Sequence, residues 1–403
     1  MTRRIVLVEA VGAIGGAERI VLDTLRYVDR QRWAATLLIL APEGGVGEEA
    51  RRYARVVHAP AGRYRNPRTV PGAVWSVARE IVRGRAAIVH ANSAKAHIVA
   101  GLAARLLRRP SVWHVMDILD AASPLNRLAL RLPATRYIAI SEAVRDQLVA
   151  LGVPAPRVQV IYPGLDQAAF DQAIAAIDRE DVRAELGLPP DSPLVTLVGR
   201  LQRWKGQHVL LAAAPHVLAR VPSAHFLIVG DALFGLEPEY PGQLAALAVE
   251  LGIEGHVHFL GQRHDVPALL HASTVVVHAS IQPEAFGLVV LEGMAAGKPV
   301  VAARAGGPAE IVVDGVTGRL VPPGDAAALA EALVGLLQAP AHGQQLGAAA
   351  RASVLARFHA AAAARQVQAV WDELAEPRLP TSRPLASAAT DPGRQPVDGS
   401  LVR

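Results

Sequence analysis

Short apolar segments alternate with longer amphipathic segments along almost the whole chain. In the first half this pattern predicts six strands, at residues 5–8, 35–40, 56–58, 88–91, 111–115 and 137–140. In the second half the pattern starts again and predicts six more, at residues 194–199, 224–230, 257–260, 274–278, 300–303 and 318–321. Short apolar runs separated by segments long enough for a helix are typical of parallel strands in βαβ units. The chain is therefore predicted to be α/β, with two doubly wound, Rossmann-like sheets.

The length of 403 residues is consistent with two hydrophobic cores, because a single core rarely grows beyond about 250–300 residues. Tyr162-Pro163-Gly164 and a polar stretch at 178–191 interrupt the strand pattern, which places the boundary near residues 165–190. The expected organisation is an N-terminal domain at 1–170, a linker at 171–190, a C-terminal domain at 191–355, a helix at 356–376 that packs back on the N-terminal domain, and a disordered tail at 377–403.

Composition narrows the class of protein further. Hydrophobic residues make up 51% of the chain and aromatic residues only 4%, which favours parallel strands covered by Ala-rich helices over a β-sandwich. The absence of cysteine excludes disulfides and Cys-ligated zinc, so the cytoplasm is the expected compartment. Glu9 ends the first apolar run after four residues, so we interpret that run as a strand rather than a signal peptide.

Charge is distributed unevenly between the two halves. Residues 1–165 contain 24 Lys and Arg against 12 Asp and Glu, whereas the remainder contains 17 against 24. This asymmetry suggests that the N-terminal half meets an anionic partner, such as a phosphorylated or lipid-linked acceptor or the inner face of the cytoplasmic membrane. Arginine on solvated helix faces explains the same numbers equally well. Nucleic acid is not expected as a partner, because no basic-aromatic ladder or DNA-reading motif occurs.

Two glutamates eight positions apart mark the most informative segment, which contains Glu284 and Glu292. If a helix begins near Phe286, the amides around Gly287 and Leu288 lack partners within the helix and can receive a diphosphate. Glu284, just before the helix, would then reach a sugar, and Glu292, within it, a ribose. Isolated glutamates at such positions are more commonly solvated surface residues.

A second segment supports the functional interpretation. Gly199 and Arg200 follow the first strand of the second half, and Lys205 comes five residues later. A doubly wound sheet opens its ligand crevice at this point, and a guanidinium with an ammonium suits a diphosphate. No Asp-x-Asp pair ends a strand, because Asp117 and Asp120 are too widely spaced. A catalytic metal is therefore not predicted.

These segments, in this order, resemble the large retaining glycosyltransferase family of bacterial glycan assembly, commonly called family 4, which has the GT-B fold. Its Glu-x7-Glu signature corresponds to Glu284 through Glu292. The resemblance implies two domains facing a cleft, a nucleotide diphosphate-sugar donor in the C-terminal domain and an acceptor against the N-terminal domain. It also implies transfer with retention of anomeric configuration and no cofactor.

The N-terminal half fits the same resemblance. Gly15 and Gly16 follow the first strand without the Gly-x-Gly-x-x-Gly spacing of a dinucleotide site, and the family's equivalent loop faces the donor phosphate. His114 matches the family's histidine beside the transferred sugar, although a lone histidine is more commonly structural. The expected acceptor-side residues are Glu18, Asn92 and Ser141. For Asn92 and Ser141, helix capping is an equal alternative.

The resemblance makes four residues catalytic: His114, Arg200, Lys205 and Glu284. It makes eight residues donor-binding: Gly15, Gly16, Gly199, Gly230, Phe286, Gly287, Leu288 and Glu292. Two departures from the family pattern are Pro163, where asparagine is common, and Gly230-Asp231, which replaces a Gly-x-Gly.

The predicted function is sugar transfer to a glycan, lipid or small-molecule acceptor in polysaccharide or glycoconjugate synthesis. The alternatives are a nucleotide-sugar epimerase or hydrolase on the same fold, a nicotinamide oxidoreductase, which lacks its glycine fingerprint here, and a non-catalytic binding protein. The sugar, base and acceptor are not readable from short motifs.

Overall fold

A parallel sheet of seven strands forms the centre of the N-terminal domain in the computed structural model, which describes residues 2–59, 69–189, 191–232 and 235–376. Its strands are β1 (Arg3–Glu9), β2 (Trp33–Ile39), β3 (Arg55–His58), β4 (Ile88–Ala91), β5 (Ser111–Val115), β6 (Arg136–Ala139) and β7 (Val158–Val160). They lie in the order β3-β2-β1-β4-β5-β6-β7. The hydropathy pattern missed only β7, because this strand has three residues and none of them is fully buried.

A second parallel sheet, of six strands, forms the centre of the C-terminal domain. Its strands are β8 (Leu194–Val198), β9 (His225–Val229), β10 (Val257–Phe259), β11 (Val275–His278), β12 (Val300–Ala303) and β13 (Arg319–Val321). They lie in the order β10-β9-β8-β11-β12-β13, and all six were predicted. The predicted class, two doubly wound α/β sheets, is confirmed.

Helices cover both faces of each sheet. In the N-terminal domain they are α1 (Gly16–Tyr27), α2 (Gly45–Ala50), α3 (Thr69–Gly84), α4 (Ala94–Leu106), α5 (Pro124–Leu130) and α6 (Glu142–Ala150). In the sequence, α7 (Gln167–Ala175) and α8 (Arg179–Glu185) come after the last strand of the first sheet and before the first strand of the second. The remaining helices are α9 (Gln207–Arg220), α10 (Tyr240–Glu250), α11 (Val266–Ala272), α12 (Leu288–Ala295), α13 (Pro308–Ile311), α14 (Ala326–Gln338), α15 (Pro340–Arg357) and α16 (Ala360–Ala375). The tail predicted to be disordered, 377–403, lies outside the described residues.

The strand order reverses beside the first strand of each sheet, where β1 lies between β2 and β4 and β8 lies between β9 and β11. Doubly wound sheets bind ligands at this reversal, beyond the carboxyl ends of the strands. The two reversal points face each other. A Cβ atom on Gly16, after β1, would lie 3.0 Å from Leu288 Cδ1 at the start of α12.

The last helix, α16, packs on the N-terminal domain although it follows the second sheet in sequence. The indole of Trp371 donates a hydrogen bond to Nδ1 of buried His90 at 2.9 Å. Trp33 in turn donates to the Asp372 carboxylate at 3.0 Å. The chain thus returns to the N-terminal domain after the second sheet, and these contacts hold α16 against that domain.

Glu310 in α13 links the two domains on the other side of the cleft. Its carboxylate accepts hydrogen bonds from the backbone N–H groups of Glu142 and Ala143, at the start of α6, at 2.9 and 2.8 Å. It also accepts one from the Tyr162 hydroxyl at 2.9 Å. These amides have no partner within the helix. A carboxylate of one domain therefore caps a helix of the other.

We expect Glu310→Ala to lower the free energy of unfolding by about 1–2 kcal/mol, because a helix cap and a hydroxyl partner are lost together. Urea denaturation followed by circular dichroism measures this. Glu331→Ala is the matched control, since Glu331 is an exposed glutamate paired with His216, and it should change stability by less than about 0.5 kcal/mol. Equal effects of the two substitutions would show that the interdomain cap contributes nothing.

Candidate active site in the interdomain cleft

Two cationic side chains follow β8 at the reversal point of the second sheet. A short helical turn at Arg203–Lys205 sets their spacing, and the Gln207 amide donates to the Arg200 carbonyl at 2.9 Å. The Trp204 carbonyl accepts from the N–H of Ile281, just beyond β11, at 2.8 Å. The loop that contains Arg200 and Lys205 is thereby fastened to the neighbouring strand's end.

Glu284 lies against this loop and is enclosed by donors. Its Oε1 accepts from Lys205 Nζ at 2.5 Å. Its Oε2 accepts from His278 Nε2 at 2.5 Å and from Ser280 Oγ at 3.1 Å. The side chains of Lys205 and Glu284 are only 13% and 15% exposed. The geometry thus brings Lys205 into contact with a segment, from His278 to Glu284, that lies far from it in the sequence.

A glycine turn allows Glu284 to occupy this position. Its backbone pairs with that of Gly306, which follows β12. Gly306 has a φ of 68°, in the left-handed region, and a Cβ atom there would lie 2.2 Å from the Glu284 carbonyl oxygen. Only glycine tolerates both conditions.

The surroundings of Glu284 determine its charge. Burial alone would raise the pKa of this carboxyl, but the charges of Lys205 and His278 and the hydrogen bonds from both outweigh burial and hold the pKa well below its usual range. Glu284 is therefore ionised and acts only as a hydrogen-bond acceptor.

Glu292 lies in α12 and has the opposite character. Burial raises the pKa of this carboxyl to about 7, and the charge of Arg19 in α1 lowers it only in part. Within the described part of the chain, no group donates a hydrogen bond to Glu292. An acid in this state is suited to a ligand that brings its own hydroxyl donors.

Helix α12 begins two residues later than the predicted start near Phe286. Gly287 is the N-cap residue, with a φ of 95°, and the helix begins at Leu288. Phe286 was expected at the donor site, but its side chain is only 2% exposed. The centroid of its ring lies 6.2 Å from that of Tyr162 and 6.0 Å from that of Phe358. Its side chain therefore belongs to the interdomain core.

The predicted glycine loops lie at the two reversal points. Gly15 is the N-cap of α1, and its N–H donates to the Glu18 carboxylate at 3.0 Å. Glu18 thus caps the first turn of α1, although Gly15 has no side chain that could complete a capping box. In the other domain a Cβ atom on Gly230 would lie 2.0 Å from the Gly199 carbonyl oxygen, so these glycines bring the loops after β8 and β9 into contact.

The structure does not bring His114 to the cationic loop. This residue lies inside β5 and is 2% exposed, and its ring packs edge to face on His90 with 5.5 Å between centroids. Burial, and then His90, lowers its pKa far below the usual range. It borders a small cavity next to Thr24 of α1 and Ala364 of α16. The described contacts of the His114 ring are thus with the core of the N-terminal domain, and its position beside the sugar stays a prediction.

Asn92 and Ser141 are buried in the N-terminal domain. Asn92 is 3% exposed, and its amide donates to the Val8 carbonyl at 3.4 Å. Ser141 is fully buried and caps α6 through the N–H of Val144 at 3.1 Å. Both side chains stabilise local structure, and Ser141 has the helix-capping role that was one of its two alternatives. Their contact with the acceptor stays a prediction.

Sequence reasoning missed three residues at the cleft: Asp117, on its surface, and His278 and Ser280, which lie behind Glu284. Asp117 follows β5 and is accessible at the cleft surface, but the cleft walls remove much of the water around its carboxyl group. This desolvation raises the pKa of Asp117, and the charges of Arg200 and Lys205 offset it only in part. This carboxylate thus faces the charged loop from the N-terminal domain. The signal available in the sequence was position, because each of the three lies at or just beyond the carboxyl end of a predicted strand.

No group of three or more His, Cys, Asp and Glu side chains in residues 2–59, 69–189, 191–232 and 235–376 is placed to hold a metal ion. In the same part of the chain no helix is long and apolar enough to cross a membrane.

Two facing Rossmann-like domains with a polar cleft between their strand ends constitute the GT-B fold of glycosyltransferases. Residues 14–169 match the family described as Glycosyltransferase Family 4, and residues 178–353 match Glycosyl transferases group 1. The chain is 35% identical over 314 residues to the D-inositol 3-phosphate glycosyltransferase 1 of Catenulispora acidiphila, covering 71% of this chain and 73% of that protein. The chain therefore belongs to the family 4, group 1 glycosyltransferases.

Other relatives agree with this assignment. The D-inositol 3-phosphate glycosyltransferase of Mycobacterium avium is 40% identical over 231 residues, which span 57% of this chain and about half, 51%, of that relative's length. The crystal structure of the Anabaena protein HepE in complex with UDP-glucose is 30% identical and superposes with a TM-score of 0.80, covering 92% of this chain and 99% of that one.

The pKa of Glu292 generates a test of the ribose assignment. At about pH 7 roughly half of these carboxyls are protonated, whereas the ionised form is the stronger acceptor for ribose hydroxyls. Nucleoside diphosphate binding should therefore release about 0.5 proton at pH 7, and affinity should fall as pH decreases below about 7. Calorimetry with UDP in two buffers of different ionisation enthalpy measures the release.

In Glu292→Gln this contribution to proton release should disappear. Glu250→Gln, at an exposed position in α10, should behave as the parent protein. If Glu292→Gln releases as many protons as the parent, the ribose does not contact Glu292.

Proposed function

We propose that the protein transfers a hexose from a UDP-sugar to an anionic acceptor bound against the N-terminal domain, with retention of anomeric configuration and without a metal. One observation carries the proposal. Lys205 and Glu284 are in contact at 2.5 Å at the reversal point of the second sheet. A cation for the diphosphate and an acceptor for sugar hydroxyls thus lie side by side, as the two halves of a nucleotide-sugar require.

Each donor group has a proposed partner. The diphosphate binds Arg200, Lys205 and the free amides at Gly287 and Leu288, since a helix start attracts anions. The ribose binds Glu292, and the transferred sugar donates hydroxyl hydrogen bonds to Glu284. The remaining donor-side residues, Gly15, Gly16, Gly199 and Gly230, allow close backbone approach.

The reaction breaks the bond between the anomeric carbon and the β-phosphate oxygen, and UDP leaves with the electron pair. The acceptor hydroxyl oxygen then bonds to the anomeric carbon, and its proton passes to an oxygen of the departing phosphate. Positive charge develops on the sugar and negative charge on the phosphate, so Arg200 and Lys205 stabilise the transition state more than the ground state. Retention follows from attack on the face that UDP vacates, as the family resemblance implies.

The nature of the donor is supported by the relatives. The Anabaena protein is described in complexes with UDP, with UDP and glucose, and with UDP-glucose. UDP-glucose is therefore the first donor to assay. The name of the curated relatives, D-inositol 3-phosphate glycosyltransferase, supports a phosphorylated acceptor, which also suits the cationic N-terminal half.

The function is tested by Arg200→Ala. Turnover of UDP-glucose, measured as UDP release with candidate acceptors, should fall by about 100-fold or more, because one preorganised donor to a developing oxyanion contributes that much. Arg220→Ala is the matched control, since Arg220 is an exposed arginine in the same domain, and it should retain parental turnover. Equal activity of the two variants would contradict the phosphate assignment.

The assay is run in EDTA, where the parent protein should remain active. Strict dependence on added Mg²⁺ or Mn²⁺ would contradict the metal-free mechanism. Free glucose as the only product would favour a hydrolase.

The surface formed by α3, α4 and α5 supports contact with the inner face of an anionic membrane. The three helices pack side by side. Their exposed apolar residues are Trp75, Val82, Leu106 and Leu128. Their exposed cations, and those of the adjoining turns, are Arg79, Arg83, Arg85, Arg105, Arg108, Arg109, Arg127 and Arg131. The one glutamate of these helices, Glu80, is buried against Arg55. Apolar anchors among cations suit anionic headgroups.

Charge reversal on this surface should weaken membrane binding. Arg83→Glu should reduce co-sedimentation with phosphatidylglycerol vesicles by about tenfold at low salt, since each basic residue contributes about 1 kcal/mol. Arg220→Glu, on the other domain, should bind as the parent does. Absence of any binding by the parent protein at low ionic strength would exclude the membrane and leave a soluble acceptor.

A further inference from the structure

His278 and Ser280 lie behind Glu284 and do not reach the substrate themselves. His278 is the last residue of β11 and is 4% exposed, and Ser280 is 1% exposed. Both side chains contact the same oxygen, Glu284 Oε2, at 2.5 and 3.1 Å. They are also 3.0 Å from each other.

The contacts determine which nitrogen of His278 carries the proton. Glu284 is ionised, so a bare Nε2 lone pair at 2.5 Å from Oε2 would be repelled. The Nε2 proton is therefore present and donates to Oε2. Nδ1 is buried and has no partner among the described residues, so Nε2 is the nitrogen through which His278 holds the carboxylate. The Ser280 hydroxyl donates to the same oxygen.

An ionised carboxylate accepts about four hydrogen bonds, two at each oxygen. His278 and Ser280 occupy both positions at Oε2, and Lys205 occupies one at Oε1. One position therefore remains free, on Oε1, next to the Lys205 ammonium. We propose that His278 and Ser280 are positioning residues that restrict Glu284 to a single hydrogen bond with the donor sugar, and thereby determine which sugar the enzyme accepts. This inference rests on the proposed function, in which Glu284 contacts the sugar.

Restriction to one acceptor position has a chemical consequence. Lys205 contacts both the proposed diphosphate and Oε1, so the sugar hydroxyl that Glu284 accepts is bound at a defined distance from the phosphates. A carboxylate released from His278 and Ser280 is free to rotate and to accept from a differently oriented hydroxyl. Epimeric sugars, which differ in the direction of one hydroxyl, would then be distinguished less well.

The variants that test the inference are His278→Phe, His278→Gln and Ser280→Ala. His278→Phe removes the N–H that donates to Glu284 and keeps an aromatic ring of similar size. We expect it to weaken UDP-glucose binding about tenfold and to lower turnover, measured as UDP formed, by about 10–100-fold. The ratio of the affinities for UDP-glucose and UDP-galactose, whichever sugar the parent protein prefers, should move towards one by about tenfold. Affinity for UDP, which lacks the sugar, should change less than about twofold. His278→Gln, which keeps an N–H, should recover binding to within about threefold of the parent.

Ser273→Ala is the matched control for Ser280→Ala. Ser273 is also buried and hydrogen-bonded, to Thr196 and the Leu269 carbonyl, but lies before β11 at the far end of the strand. The Ser273→Ala variant should be less stable than the parent protein but should have the same sugar preference.

If His278→Phe and Ser280→Ala keep the parental ratio of UDP-glucose to UDP affinity while Glu284→Gln loses it, the positioning role is wrong and the proposed function stands. If Glu284→Gln keeps that ratio too, or if the parent binds no UDP-glucose, the sugar assignment of the proposed function fails.

Discussion

The contact between Lys205 and Glu284 is the constraint on which the organisation of the cleft depends. Both side chains are largely removed from water, and taking two charges out of water costs several kcal/mol per ion before their attraction offsets it. Such a pair contributes little net stability. Its value lies in preorganisation, because a fixed cation and a fixed carboxylate need no rearrangement when a polar ligand arrives.

The fold supplies what this pair needs. Parallel strands end at one edge of a sheet, so the loop after β8, with Lys205, and the end of β11, with His278, are neighbours. The turn at Gly306 then carries Glu284 onto that edge. The N-terminal sheet presents its own reversal point to the same space, with Asp117 facing the cations. Glu310 and α16 connect the two domains around it. The cleft is thus a consequence of strand order and of a few turns.

The sequence predicted the sheets and the main cationic and acidic residues, because hydropathy period and strand-end position are local signals. Arg200, Lys205 and Glu284 could be expected to meet, since all lie at carboxyl ends of strands in one sheet. The buried surroundings of His114 and Asn92 could not be predicted in the same way. Whether a residue at a strand end points into the crevice or into the core depends on where the strand stops, and one or two residues decide it. The contacts of Glu310 were also beyond prediction, because they depend on how two domains face each other.

The most direct test of this account is a crystal structure of the protein with UDP-glucose. We expect one sugar hydroxyl to lie within hydrogen-bond distance of Glu284 Oε1, with Oε2 still held by His278 and Ser280, Lys205 and Arg200 against the diphosphate, and the ribose on Glu292. A sugar bound elsewhere, with both Glu284 oxygens contacting only protein atoms, would contradict the account.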